Sequence, residues 1–286
     1  MSRVYEALKK LQEERERGIS RGRASTEPQP KSAQKQPKGQ EKTELVEPIL
    51  PERVDYGAVD ERLITLTDPQ SVCSEQFRKI RTVLSQLHKA RNFNTFMITS
   101  ALRQEGKTIT SCNLGTAITQ GYDDQAFLID CDMRKPGVHL LFGFDGRPGL
   151  AEFLAGNKKL SQIIHEIDGL KLKIIPAGRD PESPGELLSS EKMANLLRTL
   201  KAKYQDHYIL LDTTPVLLTA EPALLSSMVD GIILVIMAGK TPRDLLKRVT
   251  KEIPREKVIG IVFNNVHSKE KRYSRYYSTY YHRQTS

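Results

Sequence analysis

The stretch TSALRQEGKTITSCNL, residues 99–114, contains Gly106, Lys107 and Thr108 in a row at the mouth of a helical pattern. A glycine, a lysine and a hydroxyl in that order suit a phosphate chain. Backbone N–H groups wrap the phosphates, the lysine reaches the β and γ oxygens, and the hydroxyl binds Mg²⁺. Two other apolar runs end in acids: FLIDCDMRKP carries Asp130 and Asp132, and YILLDTTP carries Asp212. Mg²⁺ takes only one or two protein carboxylates beside phosphates and water. Three acids near one phosphate loop therefore leave one for another task, such as accepting the proton of an attacking hydroxyl. Asp130 and Asp132 are separated by one residue, so strand alternation sends their carboxylates to opposite sides. The loop departs from GxxxxGK(S/T): Ala101 replaces the first glycine, and Leu102, Arg103, Gln104 and Glu105 include none. Where such a loop needs a positive φ, a residue other than glycine costs about 1–2 kcal/mol.

These residues need strands to carry them and helices to separate the strands. FNTFMITS, QAFLIDCD, LKLKIIPAG, HYILLDTTP, DGIILVIMAG and VIGIVFNNV are apolar at nearly every position, as strands buried on both faces are. Helical stretches lie between them at Lys107 to Gln120, Ser190 to Tyr204, Glu221 to Met228 and Pro242 to Lys251. The alternation predicts an α/β fold, a doubly wound, mostly parallel sheet flanked by helices, with ligands at the carboxyl ends of the strands. This domain spans residues 60–266. Before it, residues 1–17 place Val4, Leu8 and Leu11 on one face of an amphipathic helix. Residues 18–59 turn to Pro, Gln, Ser, Lys and Glu and are expected to be a disordered linker.

The tail, residues 267–286, holds five of the ten tyrosines, Tyr273, Tyr276, Tyr277, Tyr280 and Tyr281, among arginines and with no aliphatic neighbour to pack against. From Lys269 to Arg283 there are five Lys or Arg against one Glu. The chain's formal net charge of +9 is otherwise spread along its 286 residues, which argues against a nucleic-acid-reading face. Cys73, Cys112 and Cys131 show neither disulfide nor zinc spacing. The longest apolar run, GIILVIMAG, is about half the length of a spanning helix, and the N-terminus has no apolar core of a signal peptide. Neither secretion nor membrane insertion is expected from these features.

Taken together, ALRQEGKT, FLIDCDMR with Arg134, ILLDTTP and the tyrosine-rich tail resemble the bacterial tyrosine kinases, the cytoplasmic autokinases of capsule and exopolysaccharide synthesis. The opening MSRVYEALKK is similar to members associated with exosortase-linked systems. The resemblance runs from Asp60 to the C-terminus and implies a P-loop fold of the Min/Par type using ATP and Mg²⁺. It implies that Gln104, Glu105, Gly106, Lys107, Thr108, Ile109 and Arg134 contact the nucleotide, with Thr108, Asp130 and Asp212 at the metal. Lys107, Asp130 and Asp132 would be catalytic, either aspartate serving as base, and the five tail tyrosines would be the autophosphorylation sites. Glu75, Arg78 and Arg81 of SEQFRKIRTVL fit the family's ExxRxxR pattern, which implies a homo-oligomeric ring. Steps of three place them within about a third of a helix circumference, as a charged stripe. The partners implied are a membrane-embedded polysaccharide co-polymerase that activates the kinase and a tyrosine phosphatase, with the chain cytoplasmic and peripheral at the inner membrane. Family members carry Pro and Gly where this loop has Arg103 and Gln104, and a second Pro where it has Thr214.

A phenol has a pKa near 10 and needs a positioned carboxylate to become a nucleophile. Each phosphate adds about −1.5 to −2 charges, so one or two would reverse the tail's sign. Two other functions share parts of this pattern: a Min/Par-type ATPase without kinase activity, and a nucleotide-binding regulatory scaffold. The first class carries an additional lysine near the start of its loop, where Ala101 and Leu102 stand here. The glycine-poor loop is the support for the second.

Overall fold

Eight strands form one sheet: β1 (Glu52–Val54), β2 (Thr95–Ser100), β3 (Gln125–Asp130), β4 (His165–Ile167), β5 (Leu172–Ile175), β6 (His207–Asp212), β7 (Gly231–Met237) and β8 (Val258–Asn264). Their order across the sheet is β1-β4-β5-β3-β6-β2-β7-β8, and every pairing is parallel except β4 with β5. The helices are α1 (Ile64–Thr67), α2 (Val72–Arg91), α3 (Lys107–Thr119), α4 (Val138–Phe142), α5 (Leu150–Leu154), α6 (Pro184–Ser189), α7 (Glu191–Lys203), α8 (Glu221–Ser226) and α9 (Arg243–Glu252). This computed structural model describes residues 52–54, 59–122, 124–179 and 181–266. The expected N-terminal helix and the tail tyrosines lie outside the described residues.

The fold is the doubly wound, mostly parallel α/β arrangement, and strand alternation explains its two cores. Met97 of β2 and Ile209 and Leu211 of β6 face a core completed by Leu150, Met193, Leu200, Leu225 and Val249 of the helices on that side. Phe96 and Ile98 of β2 and Leu210 of β6 face the other core, with Leu84 of α2, Leu114 and Ile118 of α3, and Phe142 of α4. Helix α3 is buried from Thr110 to Thr119, so it shows no amphipathic stripe. Its polar residues are satisfied internally: Asn113 Oδ1 accepts from the Thr65 N–H at 3.0 Å, and Thr65 and Thr116 share a hydroxyl contact.

Strand β2 sits between β6 and β7. The chain leaves it through α3 toward β3 on one side and later reaches β7 on the other. The carboxyl end of β2 is therefore a topological switch point, where crevices open in such sheets.

Two features differ from expectation. Residues 52–54 lie in the segment 18–59 expected to be disordered, yet they form β1, with Glu52 opposite His165 and Val54 opposite Ile167. The free edge of β4 supplies backbone partners, and three residues are too few for a strand period to show. Strand β4 is equally short and was not among the six apolar runs.

Candidate active site

The loop between β2 and α3 turns through two positive φ values, 62° at Gln104 and 91° at Gly106. Gly106 can adopt its value freely; Gln104 is the residue that carries the cost expected of a glycine-poor loop. At Gly106 a Cβ would lie 1.9 Å from Asn264 Nδ2, so β8 closes the space as well. Immediately beyond, the first turn of α3 presents its free N–H groups and the positive end of its dipole.

Around this turn the structure gathers residues from three strand ends. Lys107 Nζ donates to Asp132 Oδ2 at 2.7 Å and to Thr108 Oγ1 at 3.1 Å, and lies 3.8 Å from Asp212 Oδ2. Thr108 Oγ1 donates to Asp212 Oδ2 at 2.7 Å, and Ser111 Oγ lies 2.9 Å from Asp212 Oδ1. Asp212 is fully buried; burial raises its pKa, against the Lys107 cation and the hydroxyls of Thr108 and Ser111, which pull the other way. Lys107 is raised above its ordinary value: burial opposes its charge, but Asp212 and Asp132 outweigh that.

The two aspartates at the end of β3 diverge. Asp130 is fully buried and accepts the N–H groups of Asp132 at 3.0 Å, Gly137 at 3.1 Å and Val138 at 3.2 Å. It ties the following turn to the start of α4, while burial and then the charge of Asp212 push its pKa up to about 7. Asp132 instead points to Lys107, with its other oxygen accepting from the Lys135 N–H at 3.0 Å.

Two clefts flank the loop and share Gln104 and Lys107. One, of about 450 Å³, is lined also by Arg103, Asp132, Arg134, Lys135 and Thr219; the other, of about 270 Å³, by Arg62, Gly106, Thr108, Ile109 and Leu140. Arg134 enters the larger cleft with its guanidinium fixed by Glu221, Nε to Oε1 at 2.9 Å. Glu105 lines neither cleft: its side chain is buried behind the loop. On α2, Arg78 donates to Glu75 at 2.6 Å, while Arg81 donates to the Ala117 carbonyl at 2.9 Å.

Ser111 and Glu221 were not anticipated from sequence. Ser111 lies one helical turn after Lys107 on the face of Thr108, a periodicity that could have found it. Nothing local marks Glu221, which reaches Arg134 from 87 residues away.

A parallel sheet whose switch-point strand ends in a phosphate-type loop, with a lysine, a hydroxyl and an acid converging on it, defines the class of P-loop nucleotide-binding proteins. No protein-family model matches the chain. It is 34% identical over 220 residues to tyrosine-protein kinase YwqD of Bacillus subtilis, covering 76% of this chain and 91% of that protein. Tyrosine-protein kinase ptk of Acinetobacter johnsonii is 30% identical over 207 residues, 71% of this chain but 28% of ptk. The chain thus spans nearly all of one relative and little more than a quarter of the other. Among solved structures, the chimerical protein CapA2B2 superposes with a TM-score of 0.66 at 27% identity, covering 74% of this chain and 92% of that one. The chain belongs to the bacterial tyrosine-protein kinase family.

Proposed function

We propose that this chain transfers the γ-phosphoryl group of ATP to the tyrosines of its own C-terminal tail. The observation that carries the reading is the convergence of Lys107, Asp132 and the Thr108–Asp212 pair on one crevice, with the larger cleft opening past Asp132. The loop from Ala101 to Gly106, the start of α3 and Lys107 hold the phosphates, with Gln104, Ile109 and Arg134 beside them. Thr108 and Asp212 offer hard oxygen donors 2.7 Å apart, a set that fits Mg²⁺. An Mg²⁺ ion held by these two residues would supply neutralisation of charge on the transferred group. Asp130 has its carboxylate occupied by three backbone N–H groups and positions the turn that carries Asp132.

Lys107 pairs with Asp132 at 2.7 Å. With Lys107 engaged by the phosphates, Asp132 serves as a base at the mouth of the cleft. A tail tyrosine entering there forms a bond from its phenolic oxygen to the γ-phosphorus. The bond from that phosphorus to the bridging oxygen breaks, ADP leaves, and the phenolic proton passes to Asp132. Positioning and electrostatics supply the catalysis, as phosphoryl transfer requires.

The chain acts in exopolysaccharide or capsule synthesis under this reading. It docks on a membrane-embedded polysaccharide co-polymerase and activator, assembles as a ring through α2, and is reset by a tyrosine phosphatase. Among the described residues no helix is long and apolar enough to cross a membrane. The Min/Par-type ATPase finds no charged residue at the loop start, where Ala101 is fully buried.

The test is incubation with Mg-ATP, with and without a cytoplasmic fragment of the candidate activator, followed by phosphosite mapping. Phosphate on Tyr273–Tyr281 that is absent from Lys107→Met supports the kinase. Hydrolysis without tyrosine modification would favour the ATPase instead, and binding without either would favour the scaffold.

A further inference from the structure

The loop that should wrap the phosphates lacks the glycines that usually let such a loop fold back on itself, so something else must hold its curvature. Glu105 is 4% exposed, an uncommon place for an acid beside a site for anions. Its Oε2 accepts the N–H of Leu102 at 2.7 Å, closing the loop across its own base. Its Oε1 accepts the hydroxyl of Thr241, which in turn accepts the Met237 N–H at 3.0 Å in the turn after β7. Its carbonyl accepts Asn264 Nδ2 at 3.0 Å from the end of β8. Three attachments thus run from one residue to the loop itself, to the β7 turn and to β8.

We propose that Glu105 is a positioning residue that holds the loop in its phosphate-wrapping shape, with Thr241 and Asn264 as its anchors. The inference rests on the nucleotide-binding reading of the same loop. It concerns the side chain of Glu105 and leaves to its backbone the nucleotide contact that the family resemblance implies for this residue. Both carboxylate oxygens are engaged behind the loop, one of them by the Leu102 N–H, so the N–H groups nearer the start of α3 are left for an anion and the acid's charge is spent away from it. The attachment to Leu102 offsets the loss of the usual glycines, because it restrains the segment that contains Gln104 at φ 62°. A brace from outside the loop also makes residues more than 130 positions away, which touch no phosphate, matter for affinity.

Mg-ATP affinity, read with a fluorescent ATP analogue beside thermal melting, tests this in the full chain. Glu105→Ala should weaken binding about tenfold, since it frees the Leu102 N–H and the Thr241 hydroxyl together. Glu105→Gln should stay within about threefold, because its carbonyl still accepts from Leu102 and its amide can donate to Thr241. Thr241→Val should weaken binding about threefold in the wild-type background, Thr241→Ser should restore it, and Thr241→Val should add nothing in Glu105→Ala. If Glu105→Ala does not fold, the Val and Ser pair at Thr241 carries the test alone. Unchanged affinity in folded Glu105→Ala or in Thr241→Val, whatever the melting temperature, would overturn the proposal. Glu105→Gln as weak as Glu105→Ala would also overturn it, by showing that charge alone matters. Wild-type chain that fails to bind Mg-ATP would overturn both this inference and the kinase reading; loss of the variant effects with wild-type binding intact would overturn this one alone.

Discussion

Replacing Gly106 by alanine should cost about 2–3 kcal/mol of stability and most of the affinity for Mg-ATP. At φ 91° an L-residue loses about 1–2 kcal/mol relative to glycine. The new Cβ would also fall 1.9 Å from Asn264 Nδ2, so the Asn264 amide must swing away and give up its bond to the Glu105 carbonyl, about another 1 kcal/mol. With a urea m-value of about 2 kcal/mol/M, the unfolding midpoint should fall by roughly 1 M. Far-UV circular dichroism in urea measures this. Asn264→Gly gives up the same bond to the Glu105 carbonyl, so adding it to Gly106→Ala should cost less than Asn264→Gly costs in the wild-type chain. A midpoint for Gly106→Ala within about 0.2 M of wild type would refute the reasoning from backbone angle and close packing.

Three further expectations concern neighbouring groups. Burial, aided by Lys173, pushes His207 down to about 4, and neither ring nitrogen has a hydrogen-bond partner among the described residues. The unfolded chain therefore binds more protons between roughly pH 6.5 and 4, and stability should fall by about 2 kcal/mol as pH drops through that window, a slope that His207→Phe should flatten in urea melts. Ser111→Ala should destabilise by about 1–2 kcal/mol near neutral pH, with the difference shrinking as pH falls, because a protonated Asp212 needs the hydroxyl less. Glu221→Gln should raise the KM for ATP about threefold with little change in melting temperature, since Arg134 is half exposed but loses the charge that aims it.

The sheet was legible where strands are long and buried on both faces: six apolar runs correspond to β2, β3 and β5 to β8. The three-residue strands β1 and β4 were not, because their existence depends on each other's edges rather than on local pattern. At the site, Lys107, Thr108, Asp132 and Asp212 could be placed near one another because each follows a strand of the same parallel sheet. The different surroundings of Asp130 and Asp132 were visible only as an alternation. Which of them faces the lysine depends on the turn at Gly137 and Val138, whose N–H groups capture Asp130. Glu105 read as part of a phosphate loop, yet its partner Thr241 is 136 residues away, a contact no local pattern encodes.

The central claim is that this active site phosphorylates this chain's tyrosines. Mixing Lys107→Met, which keeps its tail, with a wild-type chain in which all five tail tyrosines are phenylalanine separates enzyme from substrate. In the presence of Mg-ATP and the activator fragment, phosphate should appear on Tyr273–Tyr281 of Lys107→Met, and it should disappear when the second chain also carries Asp132→Asn. In the proposed ring one subunit's tail enters its neighbour's site, so a tail that stays unmodified in the mixture while wild-type chain alone is phosphorylated would contradict transfer between subunits. A tail modified equally by the Asp132→Asn chain would contradict the catalytic assignment itself.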